Sequence, residues 1–264
     1  MKIGVFDSGV GGLTVLALSR ICLPDADFIY YADESHVPYG EKTAGEIIEY
    51  VDYAVSFLVK KGVDAVILAC NTATSIAVGF LREKYSIPIV GMEPALMPAV
   101  RRHPEGRILV CATEVTIHGE KLRSLIESSG SDPDLIAMPE LVRLAEAEQF
   151  GIPETVKYLR EKTGSTRNYD AVVLGCTHFS LFRDSFRQYF GRETDLIDGN
   201  LGTVKRIKAV LGVGEDPCLE RAAAGAGLPD RKVKYYFSGS YVRRKAELER
   251  LERLEERYIS MIGV

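Results

Sequence analysis

The stretch "DAVILACNTAT" (residues 64–74) decides the fold, because the chain nearly repeats it as "DAVVLGCTHFS" (170–180). Each copy is an aspartate, a short run rich in β-branched residues, a cysteine and a polar turn. Such a run, apolar at every position, reads as a strand buried on both faces, the kind found in parallel sheets. A second echo has nearly the same offset: "KIGVFDS" (2–8) returns as "RILVCAT" (107–113). Between the echoes, "GGLTVLALSRIC", "TAGEIIEYVDYAVSFLVKKG" and "NTATSIAVGFLREKY" carry helical spacing, while "DFIYYAD" and "IPIVGM" read as further strands. Alternation of this kind implies right-handed βαβ units and a parallel sheet. The expected fold class is therefore α/β. It has two similar lobes, each with a mainly parallel sheet flanked by helices, related by a pseudo-two-fold, with the active site in the cleft between them. Residues 1–97 with 203–264 are expected to form the first lobe, and 98–202 the second.

Composition narrows the function classes. The 264 residues are 46% hydrophobic and 27% charged, ordinary for a globular protein with a real core. A formal net charge of −4 gives no general electrostatic reason to expect nucleic acid or an anionic membrane as partner. "MKIGVFDSGVGG" shows no secretory leader pattern, and no apolar run is long enough to span a bilayer, so the expected location is the cytoplasm. The five cysteines (Cys22, Cys70, Cys111, Cys176, Cys218) are widely spaced and include no C-x-x-C pair. Free thiols are expected, with neither a zinc knuckle nor structural disulfides.

In open α/β sheets ligands bind beyond the carboxyl ends of the strands. Cys70 and Cys176 both fall where a strand ends and a helix is expected to begin. Two lobes facing one another would present both thiols to a shared cleft from opposite sides. A helix N-terminus favours thiolate over thiol, so each is expected to be a usable base. Two opposed acid–base groups suit a 1,1-proton transfer that inverts a stereogenic carbon. The alternative for either cysteine alone is a small buried hydrophobe. Asp7 ends the first strand and His178 lies two residues after Cys176, so each can exchange a proton beside a thiol. Taken singly, Asp7 could be a helix cap and His178 a satisfied surface histidine.

Ser8 and the "GVGG" that follows could cradle a carboxylate, and the turn "VPYG" (37–40) could present backbone N–H groups and the Tyr39 hydroxyl. Asn71, Thr72, Thr116 and Thr177 add neutral donors. The glycines lack the G-x-G-x-x-G dinucleotide spacing. The chain shows no metal-ligand cluster and no recognisable pyridoxal phosphate lysine motif.

Together "FDSGVGGLTVL", "VPYG", "ACNTAT", Glu93-Pro94 and "GCTH" (175–178) resemble the glutamate racemase family from Met1 to about Asp198. The resemblance implies a cofactor-free enzyme that interconverts L- and D-glutamate and supplies D-glutamate for peptidoglycan. Its small-molecule substrate would be glutamate, with neither nucleic acid nor membrane as partner and a homodimer left open. It assigns Cys70 and Cys176 as the two acid–base residues, the first serving the D- and the second the L-enantiomer, with Asp7 and His178 assisting. Ser8, Tyr39, Gly40, Asn71, Thr72, Thr116 and Thr177 match substrate contacts. Glu146, in "LAEAEQFG", matches a further active-site glutamate, with Glu148 close by. The sequence departs from the family at "ATEVT" (112–116), at Ser180 and beyond about Gly199. There "CLERAAAGAGLPDRK" reads as an irregular insertion. The charged stretch that follows reads as a helix laying Leu248, Leu251, Leu254, Tyr258 and Met261 on the first lobe, or as a self-association helix.

Three rivals remain on the sequence. One is a related racemase acting on aspartate or a hydantoin. Another is a hydrolase with Cys176 as nucleophile and His178 as base. The last is a two-lobed amino-acid-binding protein without catalysis.

Overall fold

The computed structural model describes residues 1–164, 168–214, 227–229 and 233–262. The first sheet has strand order β10-β9-β2-β1-β3-β4. Its strands are β1 (Lys2–Asp7), β2 (Asp27–Ala32), β3 (Ala65–Leu68), β4 (Ile89–Gly91), β9 (Lys234–Phe237) and the antiparallel edge β10 (Ser240–Tyr241). The second sheet, all parallel, runs β6-β5-β7-β8: β5 (Ile108–Ala112), β6 (Asp134–Ala137), β7 (Ala171–Leu174) and β8 (Asp195–Asp198). The echoed runs thus become equivalent strands. β1 and β5 share one place in their sheets, and β3 and β7 share the next. In each sheet the strand order reverses beside the first strand, which creates the crevice where open α/β sheets bind ligands.

The burial of the strands explains their unbroken apolar character. In β1, Ile3 and Val5 pack with Leu13 and Leu16 of α1 (Leu13–Cys22), while Phe6 faces the opposite layer. That layer holds Val51 and Leu58 of α2 (Ala44–Lys60) and Ala73 and Ala77 of α3 (Asn71–Lys84). Helix α2 starts at a capping box, in which Thr43 and Glu46 satisfy one another's backbone N–H groups, and Gly62 turns the chain with φ 73°. In the second lobe, Leu109, Cys111, Val172 and Leu174 point to a layer shared with α7 (Pro139–Glu146), α8 (Ile152–Thr163) and α9 (Arg183–Phe190). Val110 and Val173 point to the layer of α4 (Leu96–Arg102) and α6 (Glu120–Ser129). Ala17, Leu18 and Ile21 of α1 join the core of the second lobe, so one helix is packed into both.

Helix α10 (Asn200–Val210) leads back to the first lobe, and α11 (Lys245–Ser260) is the last described helix. The stripe of α11 was expected to lie on the first lobe, but it spans both. Leu251 and Leu254 enter the core of the first lobe, and Tyr258 enters that of the second. Near its end Arg257 donates to the Leu181 carbonyl at 2.9 Å and to Asp184 at 2.6 Å. Buried Glu255 is paired with Arg20 of α1 at 2.8 Å and accepts the Tyr235 hydroxyl at 2.6 Å. No described helix is long and apolar enough to cross a membrane.

The expectation of free thiols holds for Cys70, Cys111 and Cys176 but not for Cys22, which is disulfide-bonded. Pairing requires Cα atoms within about 7 Å, a proximity that only the folded chain sets and that spacing along the sequence does not reveal. Cys218, and all of the irregular stretch except residues 227–229, lie outside the described residues.

Candidate active site

The site grows from the carboxyl ends of the four strands at the two crevices. β1 delivers Asp7 and Ser8, β3 delivers Cys70, β5 delivers Thr113 and β7 delivers Cys176. A cavity of about 160 Å³ lies between the lobes, well below the ~300–1,000 Å³ of drug-sized pockets. Cys70 and Cys176, only 6% and 7% exposed, both line it, together with Ser8, Tyr39, Gly40, Thr72, Thr113 and His178.

The lobes meet closely here because the loop after β1 carries glycines. A Cβ on Gly11 would stand 2.5 Å from Thr177 Oγ1 and 2.6 Å from His178 Nδ1, so only glycine lets this loop lie against the β7 turn. Close approach, rather than dinucleotide binding, accounts for "GVGG". The Val10 N–H in the same loop donates to Glu146 Oε1 at 2.9 Å.

Cys70 is the N-cap of α3, its sulfur accepting the Ala73 N–H at 3.4 Å and the Ser8 hydroxyl at 3.6 Å. Those donors favour the thiolate, as a helix N-terminus should. Burial wins: the thiol is pushed up to about 12 by desolvation, with the nearby Asp7 charge adding to it. The expectation of a readily ionised thiol therefore fails at Cys70. Asp7 is itself fully buried. Its Oδ1 accepts the Gly9 N–H at 3.0 Å and its Oδ2 the Thr177 hydroxyl at 3.1 Å. Burial nevertheless lifts its carboxyl to about 6.

Cys176 precedes a 3₁₀ helix (Thr177–Phe182) rather than the expected α-helix, and its side chain caps nothing. Its Sγ lies 3.6 Å from His178 Nδ1, and His178 Nε2 lies 2.6 Å from Glu146 Oε1. Burial opposes charge on His178, but the hydrogen bonds to Cys176 and Glu146 outweigh it and hold the imidazole well above its ordinary value. Burial would likewise raise Glu146, yet the bond to His178 and the Val10 N–H keep its carboxylate low. Glu148 points elsewhere: it has φ 53° and is ion-paired with Arg250 of α11. Of the two glutamates left open by the sequence, Glu146 is the one beside His178.

The other expected contacts divide. Ser8, Tyr39, Gly40 and Thr72 line the cavity, whereas Asp7, Asn71, Thr116, Thr177 and Glu146 stand behind its wall. The Tyr39 hydroxyl does not face the cleft as expected. It donates to Asp33 at 2.6 Å, because that buried carboxylate lies behind the turn. Thr116 backs Thr113, their hydroxyl oxygens 3.0 Å apart, and Thr113 meets Thr72 across the lobes at 2.9 Å. Asn71 is buried beside Cys70, and its Oδ1 has no partner among the described residues. Thr113, Glu41 and Arg143 line the cavity without having been singled out from sequence. Thr113 carried a signal, since it occupies in "RILVCAT" the place of Ser8 in "KIGVFDS". Among the described residues no group of three or more His, Cys, Asp or Glu could hold a metal ion.

Two duplicated α/β lobes with a thiol from each at one enclosed cleft define the racemases of the aspartate/glutamate type. A sequence model described as Asp/Glu/Hydantoin racemase matches residues 15–207. The glutamate racemase of Lachnospira eligens is 43% identical over 264 residues, covering 97% of each chain. The crystal structure of glutamate racemase from Campylobacter jejuni superposes with a TM-score of 0.79 at 29% identity, covering all of both chains. That of Escherichia coli glutamate racemase, in complex with L-glutamate and activator UDP-MurNAc-ala, gives 0.77 at 29% identity, covering 92% of this chain and 99% of that one. The chain belongs to the Asp/Glu/Hydantoin racemase family, and its activity is that of an amino-acid racemase, an isomerase.

Proposed function

We propose that the protein is a cofactor-independent glutamate racemase working by two opposed cysteines, and that it supplies D-glutamate for peptidoglycan in the cytoplasm. The observation that carries this reading is the pair of thiols at equivalent strand ends, facing one small cavity from different lobes. One sulfur, as thiolate, takes the proton from Cα, and the electron pair is left on Cα and delocalised into the α-carboxylate. The other sulfur, as thiol, returns a proton to the opposite face. The configuration inverts, the first sulfur ends as thiol and the second as thiolate, and exchange with water restores the start.

Cys70, pushed up to about 12, rests as the thiol, the form that donates. As a base it serves D-glutamate. The ammonium group of the bound substrate is a cation arriving beside it, which opposes the effect of Asp7. Cys176 serves L-glutamate with His178 and Glu146 behind it. Ser8, the Tyr39-Gly40 backbone, Thr72 and Thr113 bind the substrate, while the unpartnered Asn71 Oδ1 offers an acceptor for its ammonium group. Thr116 and Thr177 hold Thr113 and Asp7 in place. In this reading the lobes are residues 1–97 with 203–264, and 98–202.

The chain from Cys176 through His178 to Glu146 has the order of a nucleophile, base and orienting carboxylate. A hydrolase built on it leaves Cys70 without a role, so racemisation accounts for more of the site. The test is circular dichroism of L-glutamate with dialysed, chelator-treated protein. The signal is expected to decay to zero. A signal that persists, or decays only with added pyridoxal phosphate or metal, contradicts the reading.

A further inference from the structure

The mouth of the cavity holds an ion pair that spans the lobes. Glu41 ends the turn after Pro38 in the first lobe, and Arg143 lies midway along α7 in the second; both line the cavity. Arg143 Nη2 is bonded to Glu41 Oε1, and Nη1 donates to Glu140 at 3.1 Å. Their side chains are 53% and 46% exposed, whereas the two cysteines lie nearly covered at the base. Among the described residues lining the cavity, Arg143 is the single arginine or lysine, and Glu41 and Glu114 are the carboxylates. A dicarboxylate arriving at this mouth meets two negative groups and one cation already in use.

We propose that Arg143 is a specificity-determining residue that receives a carboxylate of the substrate, and that Glu41 holds its place until the substrate arrives. The proposal rests on reading the cleft as a site for glutamate. Binding exchanges one carboxylate for another on the same guanidinium, whose planar fork suits either. The exchange frees Glu41 from the opposite lobe, so the latch across the mouth opens for an anion. Exposed ion pairs are individually weak, which makes Glu41 easy to displace. A neutral amino acid lacks the second carboxylate needed to compete, and the latch therefore selects dicarboxylates.

The test is calorimetric binding of racemic glutamate to the wild-type protein, Arg143→Gln, Glu41→Gln and the double variant, with racemisation measured alongside. Arg143→Gln is expected to weaken Kd by about tenfold, or about 1.4 kcal/mol. Glu41→Gln, which vacates the guanidinium, tightens Kd by about threefold, less than half of that in free energy. In the Arg143→Gln background, Glu41→Gln gives no such gain. That non-additivity separates exchange from a mere change of field, because a field effect would add. Arg143→Lys is expected to recover part of the loss. The latch is refuted if Arg143→Gln leaves Kd within twofold, if Glu41→Gln helps equally in both backgrounds, or if both single variants weaken binding. Binding that follows the predicted pattern in a protein that does not racemise glutamate would sink the catalytic reading and leave the latch standing. A protein that neither binds nor racemises glutamate refutes both.

Discussion

Cys70 and Cys176 occupy equivalent places in the two lobes and keep opposite electrostatic company. Around Cys70 stand a neutral hydroxyl, one backbone N–H and, behind them, the carboxylate of Asp7. Around Cys176 stand an imidazole held toward its charged form and the glutamate that holds it there. Duplication supplied the pair of sulfurs, and what followed each strand set them apart. After β3 the chain enters an α-helix that the sulfur caps; after β7 it enters a 3₁₀ helix that turns His178 back onto the sulfur. A symmetric reaction, whose two substrates are mirror images, is thus run by an asymmetric pair. Because the equilibrium constant of a racemisation is one, kcat/KM must fall equally for both enantiomers in any variant. The asymmetry has to be read from half-reactions, such as elimination from analogues with a β leaving group, which need a base on one face only.

The largest effect expected is on racemisation itself. Cys70→Ala and Cys176→Ala each remove one member of an obligatory acid–base pair, and polarimetry should show ~10²–10⁴-fold loss in either variant. Glu146→Gln comes next and should sharpen the comparison. It removes the charged partner of His178, a bond worth about 1.5–3 kcal/mol, so elimination from an L-analogue should slow by about tenfold or more. Elimination from the D-analogue, served by Cys70, should slow far less. Equal slowing would mean that Glu146 acts on the site as a whole through Val10. Ser8→Ala is the mirror experiment, with a smaller effect. A neutral hydroxyl bond worth about 1 kcal/mol predicts a roughly fivefold loss with the D-analogue and little with the L-analogue.

The smallest effect is on stability. Asp7 has its folded-state carboxyl raised from 3.8 to about 6, so between these values the folded protein holds a proton that the unfolded chain has lost. Stability from this group is therefore complete below about pH 3.8 and declines as pH rises to about 6, by about 3 kcal/mol at 1.36 kcal/mol per pKa unit. Asp7→Asn should remove that part of the pH dependence. Compared with the wild type, its Tm should improve more at pH 7 than at pH 4. A constant Tm difference across the range would place the Asp7 effect in packing instead.

The strands and the two cysteines at their ends are legible in the sequence because buried parallel strands leave unbroken apolar runs. A repeat within one chain also supplies its own comparison. The glycine loop after β1 is legible as a turn, but not for its purpose. Its reason is the approach of Thr177 and His178, some 166 residues further on, taking His178 from Gly12. Lobe docking likewise decides Thr113, which becomes a cavity residue by meeting Thr72 from the other lobe. The direction of the Tyr39 hydroxyl depends on Asp33, and the pairing of Arg143 with Glu41 on how α7 faces the first lobe. The thiol chemistry of Cys70 is the instructive miss. A helix N-terminus argues for ionisation, and the sequence does not show how completely the sulfur is removed from water. Burial proves the larger effect.

The most direct test of two opposed, unequal thiols is elimination by the single cysteine variants from the two enantiomers of a β-leaving-group analogue of glutamate. Deprotonation alone drives this reaction, so one surviving base suffices. Cys176→Ala is expected to eliminate from the D-analogue through Cys70 and to be nearly inert toward the L-analogue. Cys70→Ala is expected to do the reverse, through Cys176 backed by His178 and Glu146. If both variants eliminated the same enantiomer at similar rates, the sulfurs would not stand on opposite faces of the substrate, and the two-thiol mechanism would be wrong.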